Sequence, residues 1–206
     1  MALLQKPNKK FPIDNPTLKF SGLIIASNHI EDEAVLRQEC IVGNRRAQEQ
    51  LYNMFSPKMY AVCLRYTGGN ADDAQDLLQD SFLKVYKNLH SFRAEGSFEG
   101  WIRRIVVFTC IEHLRRKPKP VVSEIENLAV QDKELTGYDR IAMQDLVKII
   151  GSLSEGYRTV VNLYLIEGYS HKEIGEMLGI NEGTSKSQLA RAKGILQKKI
   201  EQFNKK

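Results

Sequence analysis

The sequence lacks any apolar run near the 20 residues that a membrane-spanning helix needs. The longest apolar stretch near its basic N-terminus, around Leu23–Ala26, is too short for the core of a signal peptide. The expected compartment is therefore the cytoplasm. Cysteine is scarce: Cys40, Cys63 and Cys110 are an odd set with no Cys-x-x-Cys spacing, which argues against a disulfide framework or a zinc finger. Cys110 and His113 share a Cys-x-x-His spacing, but two further ligands are missing, and His29, His90 and His171 stand alone. No metal and no other cofactor is expected. Six prolines and 14 glycines are too few for a fibrous or disordered chain. Alternating β-patterns of useful length, internal repeats and low-complexity tracts are missing too. There is no Walker loop, HExxH, GxSxG or carboxylate pair in a pocket-like context, so an enzyme has the least support and no catalytic residue is assigned.

What is present is charge, and it is unevenly placed. The net charge of +5 and the pI near 9.0 hint at a polyanionic partner. Residues 72–80 hold four Asp and no base, whereas 103–117 hold five bases and one Glu. Such segregation suggests one basic and one acidic partner for a single domain, although solvated helix faces give the same pattern.

Periodicity divides the chain into an all-helical protein of two small domains. Residues 1–30, with Pro7, Pro12 and Pro16, read as a flexible basic tail. Residues 31–117 carry helical spacing, with a break at Thr67–Gly68–Gly69–Asn70, a helix from about Ala71 to Leu89, a loop over 91–100, and a helix from about Phe98 to Arg116. Pro118 and Pro120 stop that helix. Residues 118–139 are acidic and poorly periodic, a linker. Residues 140–206 then give four helical segments: 141–150, 155–166, 171–178 and 183–202.

The last two segments have the pattern of a helix-turn-helix. Ser170 and Glu173 make a capping box, Gly175 permits close helix approach, Gly179 suits a left-handed C-terminal position and Asn181 suits an N-cap. The second helix would read DNA. Thr184, Ser185, Lys186, Ser187 and Gln188, with Arg191 one turn on, are donors and acceptors for phosphates and base edges. Mere solvation of a polar helix start is the bland alternative.

The first domain shows two different faces. On the helix from Ala71, Leu78, Phe82, Val85 and Leu89 form the core stripe, while Asp73, Asp76 and Asp80 gather opposite with Leu77 at their border. An acidic stripe beside an apolar residue fits a basic helix, or it is simply solvated. On the later helix, Trp101, Arg104, Phe108, Ile111 and Arg115 lie along one line, and Arg115, Arg116 and Lys117 also suit its C-terminal dipole. Alternating rings and guanidinium groups can stack unpaired bases and attract phosphates, although Trp101 and Phe108 also suit a core. Ser91, Phe92, Arg93, Ser97 and Phe98 in the preceding loop could receive a base drawn from a duplex.

The run AQEQLYNMFSPKMYAVCLRYTGGNADDAQDLLQDSFLKVYKNL, followed by FRAEGSFEGWIRRIVVFTCIEHLRR, resembles regions 2.1 to 2.4 of the extracytoplasmic-function (ECF) sigma factors of the sigma-70 family. The run LSEGYRTVVNLYLIEGYSHKEIGEMLGINEGTSKSQLARAKGIL resembles their region 4. The resemblance covers residues 31–117 and 140–200 in the right order. It implies a bacterial transcription initiation factor that binds core RNA polymerase, through the β′ clamp coiled coil and the β flap, and brings it to promoter DNA. It places Asp76, Leu77, Gln79 and Asp80 at the coiled-coil contact. It places the loop 91–100 and the next helix at the minus-ten element, and Lys186, Ser187 and Arg191 at the minus-35 element. It runs the linker toward the polymerase active-site channel and implies an anti-sigma factor. The sequence departs from the family pattern at Phe108, where Asn is frequent, at Ser185, where Val is usual, and at Gln188, where Arg is usual. The rival readings are a helix-turn-helix regulator with a helical sensor domain, and a helical decoy or antagonist that has lost DNA binding.

Overall fold

A computed structural model describes the backbone of residues 25–116 and 148–203, and it is helical almost throughout. The expected linker 118–139 and the start of the segment 141–150 lie outside the described residues. Helix α1 spans Ile25–Ile41, α2 Arg45–Thr67, α3 Ala71–Asn88 and α4 Phe98–Arg116, with a 3-10 turn at Leu89–Ser91 before the loop to α4. Residues 148–151 are helical, and α5 (Glu155–Val161) runs into a π-turn at Asn162–Ile166. Helices α6 (His171–Leu178) and α7 (Glu182–Phe203) complete the chain. The first helix begins at Ile25, so residues 25–30 of the expected tail are helical.

Local chemistry sets these boundaries. Asn44 Oδ1 accepts from the Arg46 and Ala47 amides at 3.0 and 3.3 Å, starting α2. Gly68 ends it with φ 68°, the left-handed C-terminal geometry glycine adopts without a Cβ clash. Two residues later Asn70 caps α3 through the Asp72 and Asp73 amides. Ser170 and Glu173 form the expected capping box of α6, and Gly179 closes that helix with φ 66°.

The core of the first domain is a three-helix seam. Leu51, Met59, Val62 and Tyr66 of α2 meet Leu78, Phe82 and Val85 of α3 and Ile102, Val106 and Cys110 of α4, all buried. Arg37 of α1 lies over the Phe92 ring at 4.8 Å, joining α1 to the loop before α4. In the second domain Val160, Leu163, Ile174, Leu189 and Ala192 are buried together. Gly175 is required at the turn: a Cβ there would sit 2.7 Å from the Ile180 carbonyl oxygen.

The two domains also touch. The buried Arg158 guanidinium of α5 donates to the Tyr66 carbonyl of α2 at 3.2 Å and to the Gly151 and Leu153 carbonyls at 3.1 and 2.8 Å. Asn162 Nδ2 donates to the Arg65 carbonyl at 3.1 Å. Backbone meets backbone where Gly68 and Gly151 face each other, since a Cβ on Gly151 would stand 3.3 Å from the Gly68 oxygen. Burial holds the Arg158 pKa below its ordinary value, and the neighbouring Glu155 only partly offsets this.

Candidate docking and nucleic-acid surfaces

The acidic face of α3 is real but narrower than its sequence pattern. Asp76, Gln79 and Asp80 are exposed and Asp73 is half-buried. Among the described residues neither Asp76 nor Asp80 has an ion-pair partner. Leu77 is only 2% exposed and belongs to the core, because α3 is covered by both α2 and α4 and its buried arc is wide enough to include Leu77 beside Leu78. The apolar residue on the acidic face is instead Leu83, 63% exposed and one helical turn past Gln79. Leu83 adjoins a shallow groove of about 230 Å³ between α3 and α4, lined also by Asp80, Thr109 and His113. Lys84 bridges the same two helices through Glu112 at 2.7 Å.

The rings near the start of α4 form a nest. Phe92, Phe98 and Trp101 have centroids 5.1 to 5.8 Å apart, with Phe98 and Trp101 nearly parallel. Phe98 also meets Phe55 of α2 edge-on at 5.6 Å. At 2% exposure Phe98 is a core residue and presents no free face, which removes it from the expected minus-ten surface. Phe92 and Trp101 are half-buried, and Arg93 and Ser97 are exposed. Ser97 Oγ accepts from the Gly100 amide at 3.1 Å, so this side chain also starts α4. Ala94 holds φ 56°, a strained left-handed position for a residue with a Cβ, in the middle of this loop. Arg104 and Phe108 are half-buried with the guanidinium 5.7 Å from the ring, and Arg115 and Arg116 are exposed. Ile111, expected on the same line, is buried.

Of the side chains expected to read DNA on α7, Thr184, Lys186, Ser187 and Arg191 are exposed. Ser185 does not join them. It is fully buried at 0% exposure, and its hydroxyl lies 2.9 Å from His171 Nδ1, so it ties α7 to α6. His171 stacks on Tyr164 at 4.3 Å, and its pKa is lowered by burial first and by the Lys186 cation second. Gln188 is half-buried, with its amide 3.6 Å from where a Cβ on Gly156 would stand, so it faces α5. Lys186 pairs with Glu182 at 2.7 Å on the exposed side. Tyr164, Leu165 and Ile166 of the π-turn are exposed apolar residues.

Several notable residues carry no sequence signal. Glu167, just past the π-turn, is 6% exposed and accepts from Arg103 Nε and Nη2 at 2.8 and 2.9 Å and from Arg65 Nη2 at 3.2 Å. Arg37 and Leu83 are equally silent in the sequence. The Cys110 thiol is pushed well up by its hydrogen bond with Cys63 and by burial, and no cluster of three metal-ligating side chains exists among the described residues.

Two helical domains, one with an acidic face and an aromatic-cationic face and the other a helix-turn-helix, have the make-up of a DNA-binding protein. Comparison with known proteins gives its family. Residues 51–119 match the family model of sigma-70 region 2, and residues 143–196 match that of sigma-70 region 4. The chain is 30% identical over 190 residues to the ECF RNA polymerase sigma factor SigM of Mycobacterium tuberculosis, covering 92% of each chain. It is 29% identical over 174 residues to SigW of Bacillus subtilis, covering 77% of this chain and 91% of that one. Among solved structures it is similar to the sigma factor RpoE from Bartonella quintana, crystallised with the anti-sigma factor NepR. That match has a TM-score of 0.47 and 24% identity, covering 74% of this chain and 96% of that one. The chain belongs to the sigma-70 family, in its ECF branch, and is a polymerase-binding sigma factor. Among the described residues no helix is long and apolar enough to cross a membrane.

Proposed function

We propose that the two domains divide promoter recognition between them while the α3 face holds the polymerase. Asp76, Gln79 and Asp80, with Leu83 in place of the buried Leu77, dock on the β′ clamp coiled coil, and Asp73 supports them at the edge. The exposed triplet Tyr164, Leu165 and Ile166 is the second polymerase contact, at the β flap. Phe92, Arg93, Ser97, Trp101, Arg104, Phe108, Arg115 and Arg116 face the minus-ten element, and Thr184, Lys186, Ser187 and Arg191 face the minus-35 element. Ser185 and Gln188 position the reader helix from behind. The domains run from 31 to 117 and from 140 to 206, joined by the acidic linker 118–139. The factor works in the cytoplasm, contributes no catalytic group and is restrained by an anti-sigma factor.

The observation that carries this reading is the pairing, on one chain, of exposed Asp76 and Asp80 on α3, which have no ion-pair partner among the described residues, with exposed Lys186 and Arg191 on α7. A regulator acting alone has no use for the first. Energetics point the same way. Stacking costs roughly 1.4 kcal/mol per base-pair step on opening, and each base captured on a ring returns about 1–3 kcal/mol. Three half-buried rings cannot hold an open bubble, so the polymerase must supply further backbone contacts, and the free chain binds DNA weakly and with strong salt dependence. Run-off transcription with purified core polymerase on a promoter library tests the proposal: start-site-specific transcripts that need this chain support it. Their absence, or tight promoter binding without polymerase, refutes it.

A further inference from the structure

The bond between Glu167 and the first domain conflicts with the division of labour proposed above, on which this inference rests. Minus-ten and minus-35 elements lie roughly 25 base pairs apart, about 85 Å at 3.4 Å per pair. Only the eight residues of α6, about 12 Å of helix, and two short turns separate Glu167 from the reader helix. A chain whose Glu167 stands 2.8 Å from Arg103 of α4 cannot place α4 and α7 on both elements at once.

We propose that Arg65 and Arg103 form a binding site for a backbone phosphate of the opened promoter strand, and that Glu167 occupies this site in the closed chain. The geometry is that of anion recognition. Arg103 grips the carboxylate with two parallel N–H bonds and Arg65 adds a third. A phosphodiester has the same single negative charge and the same pair of equivalent oxygens, plus two ester oxygens. The carboxylate does not use every donor at hand. Arg65 Nε and the Tyr66 hydroxyl beside it are buried and make no hydrogen bond among the described residues. Arg103 and Arg104 are successive on α4, so the site adjoins the Trp101–Arg104–Phe108 line on which unpaired bases would stack. Opening therefore exchanges one anion for another on Arg65 and Arg103, and strand binding and domain separation promote each other.

The test uses the full-length chain and a 12-nucleotide single-stranded DNA, with affinity read by filter binding over a salt series. Glu167→Gln keeps the side-chain shape but removes the competing charge. Its expected effect is an affinity rise of about tenfold, with a steeper salt dependence by about 0.7 in log–log slope for each phosphate gained. Adding Arg103→Gln to that variant returns affinity and slope to the wild-type level. Small-angle scattering of the unmutated chain gives an independent reading, in which saturating oligonucleotide increases the radius of gyration. Unchanged affinity in Glu167→Gln, a gain that survives Arg103→Gln, or an unchanged radius each overturns the proposal. If Glu167→Gln unfolds, the scattering measurement decides. Run-off transcription by the unmutated chain separates the two levels: transcripts without any Glu167 effect refute this site alone, whereas no transcripts refute the functional reading beneath it.

Discussion

Reversing Asp76 and Asp80 to Lys tests the polymerase-docking face most directly. Both side chains are exposed and without ion-pair partners among the described residues, so the fold depends little on them. Within α3, Lys at 76 gains Asp72 one turn back, while Lys at 80 meets Lys at 76 and Lys84 one turn on. These pairs are worth a few tenths of a kcal/mol each and nearly cancel. At the interface the arithmetic differs. An exposed ion pair contributes about 0.2–1 kcal/mol, and reversal replaces attraction by repulsion of similar size. Two reversals therefore cost about 2 kcal/mol, roughly 30-fold in affinity for core polymerase. The difference should shrink as salt rises, since the Debye length falls from about 10 Å at 0.1 M to 3 Å at 1 M. Interferometry with immobilised core polymerase measures both quantities, and Glu49→Lys, exposed on α2, serves as a control that leaves binding unchanged. Binding of the double reversal within threefold of wild type at low salt, with helicity intact, would refute the docking assignment.

Three further outcomes follow from the structure. Arg191→Ala should weaken binding to a minus-35 duplex by about 1–3 kcal/mol at one base position, whereas an equal loss over all sequences in a substitution scan would make Arg191 a phosphate contact. Arg158→Met leaves the Tyr66, Gly151 and Leu153 carbonyls without their shared donor, and urea unfolding should show a loss of about 3–5 kcal/mol; a loss under 1 kcal/mol would show that water replaces the guanidinium. His171 has its folded pKa below the ordinary imidazole value of 6.5, so its contribution to stability is complete above pH 6.5 and is lost as pH falls toward the lower folded value. Thermal melts from pH 7.5 to 5 should show this decline in the wild type and a flatter profile in His171→Gln.

Much of the fold was legible because local chemistry writes it. The break at Gly68–Gly69–Asn70, the capping box at Ser170 and the left-handed Gly179 are each determined by residues within one turn, and each helix near them begins or ends close to where its spacing says. The site was legible only in outline. Helical phase put Leu77 beside the aspartates, but an angle on a wheel does not report that two neighbours cover α3. Phe98 reads as a loop aromatic until Phe55, 43 positions earlier, closes over it. Ser185 reads as one of the reader's DNA-facing donors until its hydroxyl meets His171, 14 positions earlier. The seam joining the domains is invisible to periodicity, because Arg158 meets Tyr66, and Glu167 meets Arg65, across 92 and 102 positions.

The ring nest at the start of α4 has a practical consequence. Trp101 is the sole tryptophan of the chain, 5.6 Å from Phe92 and at the edge of the loop that carries Ala94. Its ultraviolet emission therefore comes from one indole at the place where a flipped nucleotide would arrive. When the free chain is mixed with single-stranded promoter DNA, quenching or a spectral shift of this indole would report that arrival, with no dye attached and no residue altered.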